Sequence, residues 1–306
     1  MDKKNCYIII VTYNGMPWIE KCLESCGKHA IVVVDNNSTD GTVVFIEKKY
    51  PRVHIIPQCE NLGFGQANNV GISYALNQQA NYVFLLNQDA YLEPETIEKL
   101  IETHSKYPEY GILSPIHTNA KKTKLDRNFS IYVRFDKNES FYSDFVLQRN
   151  INEVYSFPFI NAAGWLLPKE CLLVIGGFDP MFFVYGEDDN FCQRVIYHGY
   201  KIGVVPYSFM IHDREDRVIV KENTDYKKVE LGFKVRLGNI NTPNFDEAIQ
   251  HEFHKLRKSL ISQCLQLKLA NFRYMIKCVQ LLKSIRSEIV DSRNLVKSKG
   301  AHYLDV

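Results

Sequence analysis

The run Tyr7-Ile8-Ile9-Ile10-Val11-Thr12-Tyr13-Asn14 is answered further along by Ile31-Val32-Val33-Val34-Asp35-Asn36-Asn37, each an unbroken apolar stretch that ends in polar residues. A strand with one face in water alternates apolar and polar side chains. An uninterrupted run is covered on both faces, as in a parallel sheet. Strand-like runs recur at Val53 to Ile56, Tyr82 to Leu86 and Gly111 to Ser114, with helical patterns between them, so the first 115 residues predict a doubly wound α/β fold. Ligands of such sheets collect at the carboxyl ends of the strands. There the sequence places Thr12-Tyr13-Asn14, Asp35-Asn36-Asn37 and Asn87-Gln88-Asp89.

Outward from this segment, residues 119 to 155 are polar and rich in Lys, Asn, Ser and Tyr, and read as an insertion or β-hairpin. Apolar character returns at Phe157 to Leu167. Pro168-Lys169-Glu170 then starts a helix and Gly176-Gly177 breaks it. From about residue 218 the pattern is helical to residue 306, which divides the chain into a unit over 1–217 and a helical extension over 218–306.

The hydrophobic share of 45% and charged share of 24% are ordinary globular values and exclude a disordered or fibrous class. Eight scattered cysteines without a CxxC pair or zinc spacing read as reduced, mostly buried thiols. No stretch resembles a signal peptide or reaches the ~20 apolar residues of a spanning helix, so the expected compartment is the cytoplasm. The net charge of +2 is uneven. Residues 255 to 299 carry 11 Lys/Arg against Glu288 and Asp291, a balance of +9, which leaves −7 elsewhere. An acidic main unit argues against nucleic acid as a partner.

Asp35 lies at a strand tip, where a carboxylate can accept from a nucleobase or a ribose hydroxyl, while Ser38, Thr39 and Asp40 fit helix N-caps. A dinucleotide enzyme would need a glycine-rich turn after the first strand, but Thr12-Tyr13-Asn14-Gly15-Met16-Pro17 stands there, and Asn68 occupies the third glycine position after Gly63-Phe64-Gly65. Asp89 fits either a turn before Pro94 or a ligand of a diphosphate-bound cation, which needs one or two protein carboxylates. Its place at the sheet edge favours the second. In Glu187-Asp188-Asp189 the last residue suits the helix macrodipole, and Glu187 or Asp188 is a candidate general base. His212 fits a core position, a surface position or a metal ligand.

Taken in order, Thr12-Tyr13-Asn14, Val34-Asp35-Asn36-Asn37-Ser38-Thr39-Asp40-Gly41, Asn61-Leu62-Gly63-Phe64, Asn69-Val70-Gly71-Ile72, Leu86-Asn87-Gln88-Asp89, Gly176-Gly177-Phe178-Asp179 and Glu187-Asp188 resemble family 2 glycosyltransferases, nearest their rhamnosyltransferase-like branch. The resemblance spans roughly residues 6 to 213. It implies a GT-A fold, with a mostly parallel central sheet flanked by helices, followed here by the helical extension. It further implies an inverting enzyme that moves a sugar from a UDP- or dTDP-linked donor to a saccharide or lipid-linked acceptor in surface polysaccharide or glycan synthesis. Thr12, Tyr13, Asn14, Asp35, Asn37 and Asn87 would serve the nucleotide sugar; Asn87 stands in place of the first aspartate of the family's metal motif, where its amide oxygen could be a neutral ligand or a ribose contact, and Asp89 is the surviving aspartate. Asp188 would be the base, Glu187 its partner, and His212 a further ligand of Mg²⁺ or Mn²⁺. Trp165 falls where the family lines the sugar site, and equally fits a core. A catalytically silent nucleotide-sugar binding protein would keep Asp35 and lose the base, whereas Glu187-Asp188 is intact.

In the extension, Leu265, Leu269, Phe272, Ile276, Val279, Leu282, Ile285 and Ile289 recur at helical steps among Lys268, Arg273, Lys277, Lys283 and Arg286. This stripe predicts packing on the main unit or on a twin in a homodimer, or else a basic amphipathic helix peripheral to the inner face of a membrane.

Overall fold

The computed structural model describes residues 5–214, 225–266 and 268–306. Strands β1 (Cys6–Thr12), β2 (Ala30–Asp35), β3 (His54–Pro57) and β4 (Tyr82–Asn87) run parallel in the spatial order β3-β2-β1-β4. The sheet continues through β5 (Ala90–Leu92), β6 (Tyr110–Thr118), β7 (Tyr155–Ser156), β8 (Gly164–Pro168) and β9 (Lys201–His212). Of these, β8 is antiparallel between β4 and β6, β9 is parallel to β6, and both β5 and β7 pair antiparallel with β9.

The unbroken apolar runs follow from this placement. Ile9, Val32, Val34 and Leu85 face one core layer, and Ile8, Ile10, Val33, Phe84 and Leu86 face the other. Helices α1 (Ile19–Ser25), α2 (Thr42–Lys49), α3 (Gly63–Asn77) and α4 (Thr96–Lys106) make the connections and cover the two faces. Gly71 of α3 lies so close to β1 that an added Cβ would sit 2.4 Å from Ile9 Cγ2.

The segment read as an insertion or hairpin has hairpin character only at an antiparallel bridge, Thr118 with Leu125. It folds instead into α5 (Arg127–Tyr132) and α6 (Glu139–Val146). The reason is capping: Asp126 accepts from the amides of Asn128 and Phe129, and Asn138 from that of Phe141. Buried Phe129 and Phe141 fix the two helices to the core. Next come α7 (Lys169–Ile175) and α8 (Glu187–Tyr197).

The expected boundary near residue 217 lies outside the described residues. Beyond it stand α9 (Asp225–Gly238), α10 (Phe245–Leu265), α11 (Leu269–Ser284) and α12 (Arg286–Val296). The sequence stripe is split among them. Leu282, Ile285 and Ile289 are buried with Phe233, Leu237 and Ile249 against Met181 and Phe182, whereas Leu265 and Leu269 are 80% and 70% exposed. Among the described residues no helix is long and apolar enough to cross a membrane.

Residues 297–306 return to the sheet-bearing unit. The Gly300 amide donates to Val174 O (2.9 Å), the Gly177 amide to His302 O (2.8 Å), the Asp305 amide to Ser73 Oγ (3.0 Å) and Asn77 Nδ2 to Asp305 O (2.9 Å). Gly176, at φ +77°, lets His302 approach, since a Cβ there would lie 2.2 Å from its carbonyl oxygen. Deleting residues 300–306 should therefore destabilise the sheet-bearing unit by about 2–4 kcal/mol, at about 1 kcal/mol for each lost hydrogen bond plus the lost packing. Urea unfolding followed by core-tryptophan fluorescence measures this, and an unchanged midpoint would show the return to be ornamental.

Candidate active site

In-register pairing sets Thr12 beside Asp35 and Val11 beside Asn87, so the three polar clusters lie level at one sheet edge. Thr12 Oγ1 donates to Asp35 Oδ1 (2.8 Å), as does Ser38 Oγ (2.5 Å), and the Ser38 amide donates to Asp35 Oδ2 (2.8 Å). Three of the roughly four acceptor positions of this buried carboxylate are thus spent on its own loops. Asn14 and Asn37 sit at φ +50° and +63°, a region asparagine enters more readily than most residues. The Thr39 amide donates to Asn14 Oδ1 (2.9 Å), and the Asn14 amide to Ser38 Oγ (2.9 Å).

The expected N-cap roles of Ser38, Thr39 and Asp40 are corrected by these bonds, because the cap of α2 is Gly41 at φ +90°. Ser38 and Thr39 tie the second loop to the first, and Asp40 accepts from the Met16 and Thr42 amides (both 3.0 Å). Gln88, which sequence reasoning passed over, receives the Tyr13 amide (3.0 Å) and returns its Nε2 to Tyr13 O (3.3 Å), joining the first cluster to the third. Tyr13 and Asn37 are exposed, Asn14 and Asn87 are partly so, and Thr12 and Asp35 are buried.

Antiparallel pairing of β5 with β9 sets Ala90 opposite His212, and so brings Asp89 Oδ1 to 3.6 Å from His212 Nε2. Both side chains are buried, and neither ring nitrogen of His212 has a hydrogen-bond partner among the described residues. Asn87 Oδ1 is likewise buried and unpartnered. A carboxylate and an imidazole at this separation suit a hard or borderline divalent cation. No group of three His, Cys, Asp or Glu able to hold a metal occurs among the described residues, so phosphate oxygens and water would have to complete the shell. Buried His117 flanks this pair, its ring 6.1 Å from that of His212 and its Nε2 3.0 Å from Ser114 Oγ. Nothing in the sequence around His117 marks it.

Glu187, Asp188 and Asp189 open α8 behind Gly186, whose φ of +82° places the turn. Burial, and then the charge of Asp188, pushes the Glu187 carboxyl up to about 8. Burial, and then the charge of Asp189, raises Asp188 to about 6. Burial raises Asp189 as well. The Asn161-Ala162-Ala163 segment connects this acidic turn to the sheet edge, since the Asn87 amide donates to Ala163 O (3.1 Å) and the Ala162 amide helps hold Asp188 ionised. Asn161 Oδ1 and Glu187 Oε2 are buried without partners among the described residues. Tyr132 of α5 stands nearby, and burial together with the Asp188 charge pushes its hydroxyl up to about 12.

The loop ahead of α8 is clamped from two sides. Asn69 Nδ2 donates to Phe178 O (2.8 Å) and the Phe178 amide to Asn69 Oδ1 (2.6 Å), while Ser292 of α12 donates to Asp179. Gly63 and Gly65 serve the same closure, because a Cβ on them would lie 2.0 Å from Phe183 O and 2.8 Å from Phe178 Cβ. Trp165 is corrected to a core residue. It is 0% exposed and stacked on Phe178, with Phe191 also against it, so its ring is not available to a bound sugar.

Residues 7–165 match the family described as glycosyl transferase family 2. The chain is 27% identical over 233 residues to an N-acetylglucosaminyl-diphospho-decaprenol L-rhamnosyltransferase of Mycobacterium tuberculosis, covering 68% of this chain and 75% of the relative. It is 26% identical over 227 residues to the dTDP-rhamnosyl transferase RfbF of Shigella flexneri, covering 70% and 71%. In fold it resembles the crystal structure of GalNAc-T7 with UDP, GalNAc and Mn²⁺ (TM-score 0.57, 15% identity), which matches 76% of this chain and, at 48%, about half of that one. A two-part sheet with its polar clusters on one edge, the ordered motifs and these likenesses lead to one statement: the chain is a GT-A-fold glycosyltransferase that belongs to family 2, in the rhamnosyltransferase-like branch.

Proposed function

We propose that this enzyme transfers a sugar, with inversion, from a dTDP- or UDP-linked donor to a hydroxyl of a saccharide or lipid-linked acceptor in glycan synthesis, with residues 1–217 as the catalytic unit. The observation that carries this reading is the desolvated Glu187-Asp188 pair at the start of α8, joined through Asn161-Ala162-Ala163 to the edge that holds Asp89 and His212. The two relatives, one a dTDP-rhamnosyl transferase and the other an N-acetylglucosaminyl-diphospho-decaprenol L-rhamnosyltransferase, support the donor and acceptor classes.

In this mechanism Asp188 takes the proton of the acceptor hydroxyl as that oxygen bonds to the anomeric carbon, and the bond from that carbon to the diphosphate oxygen breaks. One displacement inverts the anomeric centre. No carboxylate is needed as a covalent nucleophile. Glu187, held protonated at neutral pH by its burial, adds no second negative charge beside the base. Thr12, Tyr13, Asn14, Asp35 and Asn37 serve the nucleotide sugar, Tyr13 and Asn37 from exposed loop positions and Asp35 from the strand tip, where the Thr12 hydroxyl holds it. Asp89 and His212 would hold a divalent cation, which when bound neutralises the departing diphosphate, and Asn87 would serve the nucleotide sugar beside them. The GalNAc-T7 structure contains Mn²⁺, which supports that assignment. Adding dTDP- and UDP-sugars singly and recording thermal shift and transfer tests the donor. A nucleotide sugar at 100 times its dissociation constant stabilises the fold by ~2.7 kcal/mol.

Asp188→Asn should bind donor normally and lose ~10²- to 10⁴-fold in turnover. Near-normal transfer in a coupled nucleotide-release assay would remove Asp188 from the mechanism.

The raised carboxyls also set opposite pH trends. The base form disappears as pH falls, so kcat/KM should drop on the acid side with an apparent value between about 6 and 8, shared by the pair. Because the folded values lie above the unfolded ones, the pair's contribution to stability is complete below about pH 4, is lost progressively as pH rises from there, and is gone once pH passes the folded values of about 6 and about 8. Rate profiles and melting curves on one set of buffers should therefore slope in opposite directions, and an Asp188→Asn acid limb identical to that of the wild type would contradict the assignment.

Asp89→Ala should raise the Mn²⁺ needed for half-maximal transfer by at least the roughly 10- to 100-fold that changes behind a ligand already cost. Wild-type activity that survives exhaustive chelation would dismiss the cation altogether.

A further inference from the structure

The outer part of the α10–α11 hairpin combines two features that no role above uses. The apolar cluster beneath it includes Leu256 of α10 and Leu281 of α11, and Tyr274 still meets Tyr226 of α9. Beyond these contacts Ile261, Leu265 and Leu269 stand 62%, 80% and 70% exposed. Ile261 and Leu265 are one helical turn apart on α10, and Leu269 opens α11 beside them, so the three share one end of the hairpin. Asn271 Nδ2, bonded to Gln263 Oε1 at 3.0 Å, holds the two helices together there.

The charge is as one-sided as the exposure. Between Glu252 and Glu288 the sequence carries Lys255, Arg257, Lys258, Lys268, Arg273, Lys277, Lys283 and Arg286, and no Asp or Glu. Arg257, Lys258, Lys268 and Arg273 are exposed and ion-paired with nothing among the described residues. Each lies within four positions of an exposed leucine or isoleucine.

We propose that this hairpin end docks on an anionic phospholipid surface. Its aliphatic side chains enter the boundary between headgroups and acyl chains, and the surrounding Lys and Arg lay their stems along it with their charges at the phosphates. A second copy of the chain would bring the same uncompensated positive charge to the contact. A nucleic acid would gain from the charges but not from protruding aliphatic residues, since base stacking calls for aromatic ones. The docking is independent of the transfer chemistry and is tested without it.

The full chain is sedimented with vesicles of phosphatidylcholine alone and of phosphatidylcholine with phosphatidylglycerol, at low and at roughly 0.5 M salt. Two variants are compared: Arg257→Gln/Lys258→Gln/Lys268→Gln/Arg273→Gln, and Ile261→Ser/Leu265→Ser/Leu269→Ser. All seven side chains are exposed, so both variants should melt like the wild type, and either one alone decides the matter. Binding is expected only to the anionic vesicles, released by salt. It should fall about fivefold for each cation removed and roughly tenfold or more in the serine variant. Failure to bind anionic vesicles at low salt overturns the proposal, as does binding unchanged by either variant. A concentration-dependent dimer abolished by the serine variant, or single-stranded RNA retained while vesicles are ignored, overturns it in favour of those partners.

Discussion

Burial of β1 on both faces is the constraint from which the rest follows. Ile8, Ile9 and Ile10 have no exposed surface, so polar chemistry has no place along the strand and is driven to its ends. The parallel partners β2 and β4 inherit the same condition through their register, and their polar tips come level with Thr12. A buried sheet of this kind offers one edge at which loops from separate strands can be tied together. Gln88, Ser38 and Asn14 do the tying with side-chain bonds to neighbouring backbone. The preorganisation of that edge costs no flexible long side chains, since short amides and hydroxyls make the bonds.

The parallel half of the fold was legible because its signal is local. Each strand announces itself by an apolar run and each connection by a helical period, and the polar residues at the tips are read in the same breath. The acidic turn at Glu187 was legible for a related reason, three carboxylates in a row being costly anywhere except a helix start or a working site. What was not legible depends on pairing between distant segments. No spacing rule relates Asp89 to His212, which the family resemblance alone puts in one site, and the antiparallel seat of β5 on β9 is what brings them to 3.6 Å. The family resemblance assigns Trp165 to the sugar site, against a core reading nearly as good, and the choice lies with Phe178 and Phe191, which arrive from elsewhere in the chain. The capped helices α5 and α6 were hidden by a composition that also suits a hairpin, although Asp126 and Asn138 carried the start signals.

The extension shows the same division. Its periodicity gave helices, but a stripe on paper does not say which of its members meet a partner. Here the half nearer α12 closes over Met181 and Phe182, the approach to the acidic turn, while the other half stays in water. The extension is thereby part of the wall behind Glu187 and Asp188, and Gly186 packs against Leu231 and Val235 of α9. A loop supported in this way keeps its carboxylates out of water, and that burial is the first cause of their raised values.

The return of residues 297–306 has a consequence for how the enzyme comes into being on the ribosome. The bond from Asn77 to Asp305 spans 228 positions, and that from Asp305 to Ser73 spans 232. Closures over such separations belong to the slow end of folding. While the chain is still being made, the parallel half can form as it emerges, yet the turn that carries Gly177 waits for His302 to leave the exit tunnel. Nascent chains would thus hold an assembled strand edge while the acidic loop is still unfinished, so that the two parts of the proposed site form at different times.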